Sequence, residues 1–195
     1  SRIWFHCASL GEFEQARPLI EKIKKTHPNF AIILTFFSPS GYEVRKDYAN
    51  ADYVFYLPLD SKKNASKFIA YTQPSLVLFA KYEFWYHYLF QLKKNKIQTF
   101  LFSAIFLDRH PFFKWYGSLH RNMLQCFDFI FVQDEASLQR LKSINIKQVA
   151  VAGDTRFDRV LEHAGQLKDY PQIKNFKAEK KLLIAGSTWL DDEQF

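Results

Sequence analysis

The stretch Ile3-Trp4-Phe5-His6-Cys7-Ala8-Ser9-Leu10-Gly11-Glu12 passes from an apolar, aromatic run through a small-residue turn into the start of a helical pattern. A short apolar run closed by a turn is a buried strand, and apolar residues then recur at helical spacing over 12–25. The alternation repeats along the chain. Strand candidates at 30–36, 53–57, 76–79, 98–102, 129–132 and 149–152 are separated by helical patterns at 42–48, 61–71, 84–94, 112–123 and 135–143. Near-continuous apolar strands with helices between them predict an α/β, Rossmann-like parallel sheet covered on both faces. Pro39, Pro58, Pro74 and Pro111 fall at element boundaries, where a missing N–H does least harm.

With 195 residues, 48% hydrophobic and 24% charged, the chain has the composition of a folded protein with a sizeable core, which excludes a disordered one. Its 21 Phe, 10 Tyr and 4 Trp accompany 27 Lys and Arg against 20 Asp and Glu, a formal charge of +7. That combination points to an anionic partner: nucleic acid, phosphorylated lipid or a membrane surface. A doubly covered sheet hides the face on which RNA bases would stack, which argues against nucleic acid. Cys7 and Cys126 lie in separate apolar runs and read as buried free thiols of a reducing compartment. No His or Cys cluster has metal-ligand spacing, and no stretch approaches the roughly 18 apolar residues of a membrane span. The first residue is not Met and the last residues read as the start of a helix, so a longer polypeptide is expected. Residues 162–180 are polar and carry Gly165 and Pro171, predicting an interdomain connection between a first domain, 1–161, and a second that opens with a strand at 181–185.

In a parallel sheet the strands end on one edge, where ligands collect. Glu12, after the first strand, and Glu83, in Lys81-Tyr82-Glu83-Phe84-Trp85 after the fourth, are therefore expected in one crevice. The alternative for each is a helix-start carboxylate that complements the macrodipole, worth about 0.3–1 kcal/mol. Ser38-Pro39-Ser40-Gly41 has the turn chemistry of a strand-to-helix loop with backbone donors facing that crevice. Arg109 offers a planar fork for an anion, or an ion pair with Asp108. The stretch Gly153-Asp154-Thr155-Arg156-Phe157-Asp158 is a crevice-lining loop or a turn with a helix cap. Lys22, Lys24 and Lys25 with Phe112, Phe113, Lys114, Trp115 and Tyr116 are either a docking surface for an anionic bilayer or an ordinary solvated helix face beside core aromatics. There is no Gly-x-Gly-x-x-Gly, no P-loop and no Ser-His-Asp spacing that sequence certifies. The residues themselves thus establish an α/β protein with a basic, aromatic surface and two acids in a crevice.

Taken in order, Trp4 through Glu12, Ser38-Pro39-Ser40-Gly41, Tyr56-Leu57-Pro58-Leu59-Asp60, Glu83-Phe84-Trp85, Gly153 through Asp158 and Gly186-Ser187-Thr188-Trp189 resemble the 3-deoxy-D-manno-octulosonic acid (Kdo) transferases of lipopolysaccharide synthesis. The resemblance runs over nearly the whole chain, and its specificity lies in joint order and spacing. It implies the N-terminal domain of a GT-B glycosyltransferase, in which two Rossmann-like domains face a cleft, the first receiving the lipid A precursor and the second holding CMP-Kdo. It implies inverting transfer without cofactor or metal, at the cytoplasmic face of the bacterial inner membrane. It makes Glu12 the general base and Glu83 an acid needed in the same cleft. Ser9, Gly11, Ser38, Ser40, Gly41, Arg109 and Arg156 become acceptor or phosphate contacts, and Gly186, Ser187 and Thr188 a donor-side loop. With only the start of a donor domain, this chain is expected to bind CMP-Kdo poorly. Two positions depart from the family pattern: Ile105 stands where an Arg is usual, and Tyr86 where a Pro commonly follows the Glu-x-Trp element. Another GT-B nucleotide-sugar transferase, or a non-catalytic basic module that binds anionic lipid, are the alternatives.

Overall fold

In β1 (Arg2–His6) successive side chains point to opposite faces of the sheet, and the sequence fills both with apolar groups. Trp4 joins one core with Ile33, Val77, Phe79, Tyr88 and Leu101, while Ile3 and Phe5 join a second with Phe13, Ile20, Ile32, Leu34 and Phe36. Both faces are therefore dry, the condition under which an all-parallel sheet is stable. The computed structural model describes residues 1–157 and 170–193 of the chain. By internal contacts the chain divides into two compact units, Ser1–Val160 and Leu161–Phe195.

In the first unit β2 (Ala31–Phe36), β3 (Tyr53–Tyr56), β4 (Leu76–Ala80), β5 (Gln98–Ala104), β6 (Phe129–Val132) and β7 (Val149–Val151) complete a seven-stranded parallel sheet of order β3-β2-β1-β4-β5-β6-β7. The helices are α1 (Leu10–Thr26), α2 (Pro39–Arg45), α3 (Lys62–Thr72), α4 (Tyr86–Lys94), α5 (Ser118–Leu124) and α6 (Glu135–Ser143). Strands are added outward from β1 to β3, and the chain then returns to place β4 on the other side of β1. The reversal opens a crevice beyond the carboxyl ends of β1 and β4, the topological switch point of a doubly wound sheet.

Two expectations are corrected. The helix predicted over 112–123 is broken into a 3₁₀ turn, Pro111–Phe113, and α5. Arg121 Nη1 donates to the Phe112 and Lys114 carbonyls, each at 2.9 Å, and draws the turn back over α5. Gly117 permits this fold-back, since a Cβ there would stand 1.9 Å from the Pro111 carbonyl oxygen. The strand predicted at 181–185 does not form; a strand needs a ladder partner, and among the described residues none is provided for this segment. In the second unit α7 (Pro171–Lys177) lies inside the expected connection and buries none of its residues. Asp158 and residues 162–169 lie outside the described residues.

Candidate active site at the sheet switch point

α1 starts directly after β1, and its N-cap is Ser9. Glu12, at the third helical position, folds back so that its Oε2 accepts the Ser9 N–H at 2.8 Å and also the Ser9 hydroxyl. This is the glutamate half of a capping box, and it satisfies a donor that the helix cannot. Oε1 of Glu12 makes no hydrogen bond with a described residue. The helix-start role therefore occupies one oxygen of the carboxylate and leaves the other free of hydrogen bonds among the described residues.

Glu83 is held differently. It lies in the loop after β4, upstream of α4, and the carboxylate that caps α4 is Asp60, whose two oxygens accept the His87 N–H at 3.0 and 3.2 Å. The helix-start alternative thus belongs to Asp60 and not to Glu83. Glu83 Oε2 accepts from Trp85 Nε1 at 2.6 Å and lies 3.1 Å from His6 Nε2. Its side chain is 13% exposed, while His6 is wholly buried. Cys7, just beyond β1, is buried, and its thiol is pushed well above its ordinary value by burial first and then by the charges of Glu12 and Glu83.

The rim of the crevice is partly used by the fold. The donors of the 38–41 loop are consumed internally: Phe37 and Ser38 N–H reach the Ala8 carbonyl, Ser40 N–H reaches Ser38 Oγ, and Gly41 N–H reaches the Ser38 carbonyl. Gly41 is buried, and a Cβ there would meet the Phe36 ring at 2.3 Å, so this glycine serves packing. The expectation of a backbone cradle at Ser38, Ser40 and Gly41 is corrected on that ground, leaving the two hydroxyls, which bond each other at 2.9 Å. Arg156 grips Asp154 through Nε and Nη2, the shortest contact being 2.6 Å, and this pairing holds the Asp154 carboxyl below its usual range. Thr155 Oγ1 donates to the Gln15 carbonyl at 2.8 Å and lies 3.2 Å from Ser103 Oγ, tying the 153–157 loop to α1 and β5. Asp108, the sequence partner of Arg109, is taken by Arg140 at 2.8 and 2.9 Å. Arg109 is exposed and makes no ion pair or hydrogen bond among the described residues. Gly186 and Ser187 are exposed in the second unit and Thr188 is half-buried there.

Sequence reading missed two groups. His6 hides in an apolar strand, where it resembles core; its signal is that it shares Trp4's face at the last position before the crevice. Lys81 was quoted only as a neighbour of Glu83 and given no role. Lys81 and Ser103, at or near the ends of adjacent strands, both have positive φ, 58° and 53°, a cost of about 1–3 kcal/mol each of the kind that collects at functional edges. Lys81 N–H donates to the Phe102 carbonyl at 2.9 Å, Gln133 Nε2 donates to that of Ser103 at 2.9 Å, and the Lys81 charge helps to lower the Asp154 carboxyl. Groups of three or more His, Cys, Asp or Glu able to hold a metal are absent among the described residues.

Of the docking residues, Lys24 is corrected: its Nζ binds Asp52 Oδ2 at 2.7 Å and the Phe30 carbonyl at 3.2 Å. Phe112 is buried and Phe113 packs against the core. Trp115, 92% exposed, and Tyr116 stand out beside Lys114, and Lys22 and Lys25 are exposed on α1. No described helix is long and apolar enough to cross a membrane.

The doubly wound parallel sheet defines a Rossmann-like α/β domain. Solved structures agree on the fold: UDP-GlcNAc 2-epimerase from Neisseria meningitidis matches with a TM-score of 0.64 at 16% identity, over 92% of this chain and 54% of that one. The enzyme of that name from Methanocaldococcus jannaschii matches with a TM-score of 0.63 at 15% identity, over 92% and 53%. The family model described as 3-deoxy-D-manno-octulosonic-acid transferase (kdotransferase), the N-terminal glycosyltransferase module, matches residues 1–159, and the chain belongs to that family. The 3-deoxy-D-manno-octulosonic acid transferase of Haemophilus influenzae is 28% identical over 95% of this chain and 44% of its own length. That of Aquifex aeolicus is 27% identical over 80% and 40%. A bifunctional glycosyltransferase/methyltransferase of Fusobacterium nucleatum is 26% identical over 98% and 31%. The chain spans less than half the length of these curated relatives.

Proposed function

We propose that this chain is the acceptor-binding half of an inverting transferase that moves Kdo from CMP-Kdo to the lipid A precursor at the cytoplasmic face of the bacterial inner membrane. The observation that carries the reading is the pair of anchored acids, each tied through Oε2 with Oε1 left unbonded among the described residues, at the switch point of a family member's sheet. In the reaction, Glu12 Oε1 takes the proton of an acceptor hydroxyl whose oxygen attacks the anomeric carbon. The bond from that carbon to the CMP phosphate breaks, and CMP leaves with the electron pair. The leaving group is a phosphate, so no acid is obligatory, and cations on the rim stabilise the departing charge. Arg109, Lys81 and the exposed face of Arg156 are the cations of this edge. The net charge of +7 and the exposed Trp115 and Tyr116 beside Lys114 support approach to a phosphorylated acceptor at a bilayer.

The test is transfer of Kdo from CMP-Kdo to lipid A precursor by the full-length protein, with Glu12→Gln beside it. The amide keeps an oxygen for the Ser9 N–H, so the variant folds, and transfer falls about 10²–10⁴-fold, the range of a lost general base. Unchanged turnover at saturating substrates rejects the assignment of the base.

A further inference from the structure

We propose that Trp4, Thr35 and His6 form a positioning relay that fixes the Glu83 carboxylate through Oε2 and presents its Oε1 to the acceptor; the acceptor part of this rests on the function proposed above. The register makes the relay possible. Trp4 pairs with Ile33 and His6 with Thr35 in the β1–β2 ladder, and His6 pairs with Phe79 in β4, so His6 occupies the strand that divides the two halves of the sheet. Trp4 Nε1 is 2.8 Å from Thr35 Oγ1, Thr35 Oγ1 is 2.9 Å from His6 Nδ1, and His6 Nε2 is 3.1 Å from Glu83 Oε2.

The direction of the chain follows from its first member. An indole N–H only donates, so Thr35 Oγ1 accepts from Trp4. The single Thr35 proton has two acceptors within reach, the Phe5 carbonyl at 3.4 Å and His6 Nδ1 at 2.9 Å, and the shorter contact takes it. Nδ1 is then the acceptor nitrogen, and the ring hydrogen sits on Nε2, aimed at Glu83. Trp85 Nε1 donates to the same oxygen, and its ring stands perpendicular to the imidazole at 5.0 Å. Two donors on Oε2 fix the carboxylate plane and leave Oε1 for a substrate group. His6 touches no part of the crevice itself, being wholly buried, and acts through Glu83.

The test uses the full-length protein with histidine labelled in its ring nitrogens. In the parent, NMR should find His6 with an unprotonated Nδ1 and a hydrogen on Nε2, and Thr35→Val should abolish that fixed pattern while Thr35→Ser keeps it. A hydrogen on Nδ1 in the parent overturns the relay whatever the protein's activity. In the transfer assay His6→Leu and Thr35→Val should lower kcat about 10- to 100-fold, as expected when an orienting hydrogen bond is lost, with KM within about twofold of the parent. His6→Gln, which keeps a donor toward Glu83, should recover at least about tenfold of the loss. Parent-like kcat in a folded His6→Leu, or His6→Gln no better than His6→Leu, overturns the proposal. A parent without Kdo transfer removes the function reading and the acceptor part of this one, and the nitrogen pattern then decides the relay by itself.

Discussion

Tyr48, just beyond α2, shows how a single partly buried group couples this fold to solution conditions. Its hydroxyl lies 3.2 Å from Glu21 Oε1, and burial, opposed in part by Asn50, pushes its pKa up to about 12. An unfolded tyrosine titrates near 10. The folded chain therefore keeps this proton where the unfolded chain releases it, and the contribution is complete below about pH 10 and is lost as pH rises toward 12. Urea unfolding at stepped alkaline pH should show a steeper loss of stability in the parent than in Tyr48→Phe. Equal slopes would place Tyr48 in an environment like that of the unfolded chain. Elsewhere in the molecule the residue scale is governed by which oxygen of a carboxylate is spoken for, since Glu12 and Glu83 each have one tied to the fold.

At the scale of elements, the 111–124 segment carries the sharpest steric constraint. A side chain at Gly117 would strike the Pro111 carbonyl, a backbone atom that cannot swing aside. Gly117→Ala should cost about 1–3 kcal/mol, the range for overpacking, measured by denaturant titration. A stability equal to the parent's would mean that the Pro111 turn opens without cost. The same segment shows where sequence reading succeeds and where it stops. All seven strands of the sheet were legible as apolar runs such as 30–36 and 98–102, including the edge strand β3, whose aromatic side chains are largely exposed. The break at 114–117 was not, because it depends on Arg121 reaching back to two carbonyls, a contact across a turn that no periodicity encodes. Glu12 and Glu83 were legible from their places after β1 and β4. The grip of His6 on Glu83 was not, since it joins residues 77 apart in sequence. The absence of a strand at 181–185 has a similar cause: apolar residues permit a strand, and only a neighbour makes one.

For the whole molecule, surface chemistry is the next scale. Trp115 and Tyr116 project beside Lys114, whereas Lys24 is occupied by Asp52 and Phe113 packs against the core. Vesicles containing anionic lipid should therefore sediment the protein, with a charge-dependent part lost in salt and a salt-resistant part carried by the inserted rings. Trp115→Ser should remove the resistant part without loss of stability, while Phe113→Ser should chiefly destabilise the fold. Parent protein that stays in the supernatant at low salt would place the docking surface elsewhere.

The interior position of β1, between β2 and β4, also has a consequence for how the protein comes into being. His6 and Glu83 are separated by 77 residues, so at a synthesis rate of roughly 5–20 residues per second His6 waits about 4–15 s for its partner. Once β2 has been made, β1 can pair with it on one side, where Thr35 meets the His6 ring, and its other edge stays open until β4 follows. The arrival of β4 closes the edge, buries the ring and completes the grip on the carboxylate together. On the ribosome, then, the docking of β4 both covers the His6 ring and brings Glu83 to it, while β4 in turn presents the sheet's next open edge to β5.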